Sequence, residues 1–168
     1  MKDTDTNPHG LQLQTPFVVS GYRKGQPCDV NCILVSERGH LLEAEAGRAF
    51  LRMSRAAELD GVRLHINTAW RSHDEQTALY KIYQRKVEAW EHAPPTGRGP
   101  KPPPTAPPGH SNHQWGIAVD IDTGGPTHGP IDAWLDANAK LFGFVRTVPA
   151  EGWHWEYRPE LFDGVVFV

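Results

Sequence analysis

Cysteine is scarce in this chain: Cys28 and Cys32, within the stretch CDVNC, are the only two among 168 residues. No thiolate-rich metal centre can be completed from so few. Their spacing leaves three readings open: inert thiols, a local disulfide, or part of a metal pair. Long apolar runs are also missing. Nothing approaches the roughly 20 residues of a membrane span, and the polar start MKDTDTNPHGLQLQTPF holds no apolar core of signal-peptide length. A protein with this start that works outside the cytoplasm would have lost its signal, or would leave by lysis or a dedicated secretion apparatus. An excess of one charge is lacking too. Seventeen Lys and Arg stand against 20 Asp and Glu, for a formal net charge of -3. That balance gives no general reason to expect a nucleic-acid partner.

What is present suits one globular domain. Hydrophobic residues make up 39% and charged residues 22%, within the ordinary range for a packed soluble chain. Residues 1–16 read as a loose leader and 17–168 as a single domain. FVVSGY (17–22) and NCILVS (31–36) have strand-like content, with RKGQP between them as a turn. In residues 43–60, Ala46, Ala49, Phe50, Met53 and Ala57 form the apolar stripe of a helix that Gly61 can end. VRLHINTAW (62–70) alternates as a half-buried strand does. Ser72 and Glu75 then form a capping-box pattern at the start of a second helix running to about residue 92, before Pro94 and Pro95.

Residues 94–108, PPTGRGPKPPPTAPP, hold eight prolines. Such a segment cannot be a regular packed element; it predicts an extended, semi-rigid loop bordering a cleft. WGIAVDID (115–122) reads as a strand, residues 131–142 as a short helix closed by Gly143, and GFVRTV and GWHWEY as two final strands. Strands gathered around a few flanking helices predict an α+β fold with a small antiparallel sheet.

The segment SNHQWGIAVDID concentrates the polar chemistry. Alternate strand residues share a face, so Ala118, Asp120 and Asp122 look one way while Ile117, Val119 and Ile121 pack the other. His113 lies upstream, where a turn at Gly116 brings it toward Asp120. In the last strand His154 and Glu156 share a face, with Trp153 and Trp155 opposite. If the two strands pair, His113, Asp120 and His154 converge as two imidazoles and a carboxylate, the combination that suits one zinc ion. Glu151, three residues before His154 across Gly152, is placed to take a proton from an attacking water. Asp122 is expected to support the strand end rather than bind metal.

SNHQWGIAVD and EGWHWEY resemble the two signatures of the zinc D-alanyl-D-alanine carboxypeptidases and dipeptidases. That family includes the vancomycin-resistance enzymes and shares its fold with the hedgehog signalling domain. The first pattern is met at Ser111, His113, Gly116, Ala118 and Asp120, the second at Glu151, Trp153 and His154. The resemblance spans roughly residues 43–160. It implies zinc on His113, Asp120 and His154, with Glu151 as general base. AWRSHDEQTALY matches a further family context and puts Arg71 where it would steady the substrate carbonyl and its developing oxyanion. Ser111 and Trp153 would border the substrate, and Gln76 and Asp74 would support the helix start or the cleft edge. The implied partner is a peptidoglycan stem peptide ending in D-Ala-D-Ala, cleaved by a monomer.

The proline-rich segment and the CDVNC loop depart from the family pattern around the cleft. The leading expectation is a D-Ala-D-Ala carboxypeptidase that releases the last alanine, with release of the dipeptide or cleavage of L-Ala-D-Glu as alternatives. Two readings compete with catalysis. One is a non-catalytic zinc-containing binding domain, which would have no need of Glu151 and Arg71. The other is a closed structural site that recruits Asp122 or Glu156 as a fourth ligand.

Overall fold

The computed structural model describes residues 15–125 and 129–162. Most of the leader (1–14), part of the turn before the third helix (126–128) and the last six residues lie outside this range. Strands β1 (Phe17–Arg23) and β2 (Gln26–Leu34) form an antiparallel hairpin in which Arg23 faces Gln26. Lys24 and Gly25 make the two-residue turn, both with positive φ (51° and 82°). That geometry matches the right-handed twist of the flanking strands. The turn is therefore shorter than the predicted RKGQP, and Gln26–Cys28 belong to a strand. A third strand, β3 (Leu41–Glu43), pairs with β2 to complete a three-stranded sheet. The sequence reading did not anticipate it.

Both cysteines lie on β2. Their Cα atoms, four residues apart along one extended strand, are separated by about 13 Å. A disulfide needs less than about 7 Å, so the local disulfide is overturned, and both thiols are free.

Glu43 ends β3 and caps helix α1 (Ala44–Leu59), its carboxylate accepting from the Glu45 and Ala46 N–H groups at 3.0 and 3.2 Å. The expected stripe is the buried face of α1, with Ala46, Ala49, Phe50, Met53 and Ala57 all 2% exposed or less. Gly47 allows the helix to lie close on β2, since a Cβ there would meet Ile33 at 2.5 Å.

The second sheet has the order β4-β5-β7-β6, antiparallel throughout: β4 (His65–Thr68), β5 (Ala118–Asp122), β7 (His154–Tyr157) and β6 (Phe144–Val145). Its apolar face meets α1 and helix α3 (Pro130–Asn138) in one core that includes Ile66, Val119, Ile121, Leu135, Phe144 and Trp155. The α+β class stands, although β4 and β6 are shorter than predicted. The tail of the third predicted helix tightens into a 3-10 turn at Ala139–Phe142.

Helix α2 (His73–His92) begins at the predicted capping box: Ser72 accepts from the Glu75 N–H, and Glu75 accepts from the Ser72 N–H. Its apolar stripe does not enter the core. Gln76 is its only buried residue, while Leu79 and Ile82 are 38% and 46% exposed. The proline-rich segment folds back along the end of this helix. The Trp90 indole N–H donates to the Gly99 carbonyl at 2.7 Å, and Arg98 sits 4.7 Å over the Trp90 ring.

Candidate metal centre

β5 lies between β4 and β7, and its register with β7 sets Asp120 opposite His154 and Ala118 opposite Glu156. These four residues share the face turned away from the core, as alternation requires. His113 arrives from the turn just upstream. There Gln114 N–H donates to the Ser111 carbonyl and Gly116 N–H to the His113 carbonyl. Gly116 has φ 75°, and its carbonyl accepts from the Glu43 N–H at 2.8 Å. A Cβ there would come within 2.9 Å of that nitrogen. This close backbone approach to β3, on top of the left-handed φ, is why the position takes glycine.

The expected trio comes together. His113, Asp120 and His154 each offer one ligand atom, all within 4.8 Å of one another. His113 Nε2 lies 3.3 Å and His154 Nδ1 2.9 Å from Asp120 Oδ1. The far side of each ring is held as well. His113 Nδ1 is 2.7 Å from the Ala69 carbonyl, which can only accept, so that nitrogen carries the hydrogen. His154 Nε2 is 3.1 Å from the Glu156 carboxylate and donates to it. The inward nitrogens, His113 Nε2 and His154 Nδ1, both point at the same carboxylate oxygen, Asp120 Oδ1. Two imidazoles and a carboxylate that converge in this way are a donor set that fits zinc. Hydrogen bonds on the outer ring nitrogens are the usual means of orienting metal-binding histidines.

The electrostatics agree with this arrangement. Burial would raise the Asp120 carboxyl, but hydrogen bonds and charge from His113 and His154 outweigh it and hold the group well below the usual carboxylate range. Burial would lower His154, yet Asp120 and Glu156 together push it up to about 9 in the metal-free protein. Glu156, only 4% exposed, would likewise be raised by burial. Bonds from His154, Asn112, Arg158 and Thr147 bring it down to about 2 instead. Asn112 Nδ2 and Arg158 Nε each reach its carboxylate at 2.9 Å. Glu156 meets the ring nitrogen of His154 that points away from Asp120. It therefore anchors the ring and is not a fourth ligand. Asp122 is exposed and accepts from the Gly124 N–H at 2.9 Å, closing the turn after β5 as expected.

The remaining predicted residues surround this trio. Arg71 stands between β4 and α2, its N–H donating to the His113 carbonyl at 3.1 Å. Burial lowers its pKa, and the nearby Asp120 and Glu75 charges oppose that shift. Its Nη1 donates to Gln76 Oε1 at 2.8 Å. Ser111 is buried in the turn that carries His113. Glu151 is half-buried, and its backbone carbonyl accepts from the His154 N–H at 3.0 Å, a turn that keeps it next to His154. Trp153 is 43% exposed, whereas Trp155 is in the core. Trp153 precedes β7, so strand alternation does not bury it. Asn112, Glu156, Arg158 and the Ala69 carbonyl were not anticipated as ring anchors. Only Glu156, sharing the His154 face by alternation, carried a sequence signal.

Comparison with known proteins bears on the same residues. The sequence profile of VanY, D-alanyl-D-alanine carboxypeptidase, matches residues 39–160 and so covers every residue of the trio. A D-alanyl-D-alanine carboxypeptidase of Enterococcus faecalis (strain ATCC 700802 / V583) is 31% identical over 116 residues. That match covers 61% of this chain and 42% of the relative, so the chain spans less than half the length of this curated protein. Among solved structures, a glutamate-to-alanine mutant of the vancomycin-resistance D,D-pentapeptidase VanY, in complex with Zn(II), is 28% identical. It superposes with a TM-score of 0.60 over 77% of this chain and 79% of its own. VanYB in complex with D-alanine-D-alanine gives 27% identity and a TM-score of 0.61 over 77% and 78%. The LdcB LD-carboxypeptidase gives 25% and 0.54 over 70% and 59%. The chain belongs to the VanY family of D-alanyl-D-alanine carboxypeptidases.

Proposed function

We propose that this chain is a zinc-dependent carboxypeptidase that removes the terminal D-alanine from peptidoglycan stem peptides ending in D-Ala-D-Ala. The observation that carries this reading is the convergence of His113 Nε2, Asp120 Oδ1 and His154 Nδ1, with both outer ring nitrogens held by hydrogen bonds. Those three atoms would hold one zinc ion. Bound zinc supplies a Lewis acid that makes water nucleophilic at neutral pH and polarises a carbonyl. Glu151 acts as general base, taking the proton of the attacking water and returning it to the leaving amine. Arg71 donates to the carbonyl oxygen as negative charge develops on it. Ser111 and Trp153 border the peptide, one inside the ligand turn and the other on the exposed rim.

The test is incubation of the zinc-loaded protein with intact muropeptides and mass analysis of the products. Loss of one alanine supports the carboxypeptidase reading. Loss of a dipeptide, or cleavage between L-Ala and D-Glu, reassigns the bond while keeping the metal chemistry. Unchanged muropeptides, from protein verified to hold zinc, would favour a binding domain.

A further inference from the structure

Gln76 is 1% exposed, and a buried amide must satisfy both of its ends. Its Nε2 donates to the Ala106 carbonyl at 2.7 Å, thirty residues away in the proline-rich segment. Its Oε1 accepts from Arg71 Nη1 at 2.8 Å. A carbonyl can only accept and a guanidinium can only donate, so both neighbours select the same orientation of the amide. Ala106 therefore reinforces the orientation in which the Gln76 oxygen meets Arg71.

Ala106 is itself held. The next residues turn back through His110 N–H onto the Pro107 carbonyl. The Gly109 N–H donates to Oε1 of the fully buried Gln114 at 2.6 Å, and the Gly109 carbonyl accepts from the Gly25 N–H at 2.9 Å. At the other end, Trp90 holds the Gly99 carbonyl, and Arg98 binds the Ala93 and Glu91 carbonyls at the end of α2. Between these anchors lie Pro102, Pro103 and Pro104, whose fixed φ limits slack.

We infer that the proline-rich segment acts as a strap for the reaction site: through the Ala106 carbonyl it orients Gln76, and Gln76 is a positioning residue that holds the Arg71 guanidinium. The inference rests on the role of Arg71 proposed above. With Nη1 committed to Gln76, the rigid plane of the guanidinium fixes where its other N–H groups point. An interaction of this kind acts on the transition state more than on substrate affinity.

The test uses the full zinc-loaded chain with Gln76→Leu and Gln76→Met, two variants that keep volume and remove the amide. A third variant replaces Pro102, Pro103 and Pro104 by glycine. Nitrogen-15 NMR of the arginine side chains, with Arg71 assigned by Arg71→Lys, reads rotation of the guanidinium. Slow Arg71 rotation in the wild type and faster rotation in all three variants is expected. In parallel, kcat should fall about 10- to 100-fold in the Gln76 variants, with KM and zinc content little changed. The same Gln76 changes should have no further effect in an Arg71→Lys background. Unchanged Arg71 rotation, an undiminished kcat loss in that background, or zinc loss in step with kcat would each overturn the inference. If the wild type cleaves no muropeptide the functional reading fails, while the NMR arm still decides whether Gln76 and the strap order Arg71.

Discussion

At the residue scale, the arrangement of His113, Asp120 and His154 depends on atoms outside the trio. The Ala69 carbonyl and the Glu156 carboxylate hold the outer ring nitrogens of His113 and His154 and thereby turn the other nitrogen of each ring toward Asp120. Replacing Glu156 by glutamine keeps the shape but makes the partner a poorer acceptor. Zinc affinity should drop about 10- to 100-fold, as read by competition with a chromophoric chelator. Glu151→Gln should leave zinc content intact while lowering hydrolysis by about 10²- to 10⁴-fold. Full retained activity in that variant would remove Glu151 from the mechanism. Glu156 also sets a pH dependence for the metal-free protein. Its carboxyl falls from the ordinary 4.5 to about 2 on folding, so the folded state binds fewer protons than the unfolded chain between these values. The stability it contributes is present above pH 4.5 and is lost as pH falls toward 2. Denaturant titrations across that window should show the loss, and a Glu156→Gln variant should show a shallower one.

The convergence of His113, Asp120 and His154 was legible in the sequence because the three sit within two short motifs. Asn112 and Gln76 show their roles only once folded. Asn112 meets Glu156 forty-four residues away and Gln76 meets Ala106 thirty residues away, and no local periodicity encodes such pairings.

At the element scale, helices were read with more success than short strands. α1 and α2 announced themselves through a stripe and a capping box, both local signals. β3 spans three residues, too few for alternation to register, and it exists because β2 offers it an edge; β6 keeps only two residues of the longer strand read in GFVRTV. The α2 stripe shows the opposite case, in which helical spacing was present without burial, since the strap and solvent cover it in place of the core. The capping box fixes where α2 starts, directly after Arg71. Ser72→Ala should cost about 1 kcal/mol of stability in a denaturant melt. Gly116→Ala places a Cβ against the Glu43 nitrogen in a left-handed conformation. It should cost about 1–3 kcal/mol and weaken zinc binding as well, because the same turn delivers His113. Cys32 is fully buried on β2, and burial beside Glu43 pushes its thiol up to about 12. It should resist alkylation at pH 8 in the native protein and react once the protein is unfolded.

At the scale of the whole molecule, one core serves two sheets, with the metal-facing side of the second sheet outside it. None of the described helices is long and apolar enough to cross a membrane. Because the atoms of the trio come from a turn and two strands, they are assembled only in the folded chain, and an ion bound there would stabilise the fold by mass action. Chelation of the zinc-loaded protein should therefore lower Tm, and at free zinc 100-fold above Kd the ion should add about 2.7 kcal/mol.

The pairing of Asp120 with His154 carries a further consequence. Slipping β7 by one residue would bring Trp155 to the polar face and send His154 into the apolar core. It would also pull the histidine away from the carboxylate, so a misregistered sheet could not retain the ion. Zinc would then act as a proofreader of strand pairing during maturation, holding the correctly assembled chains and leaving slipped ones to unfold and try again.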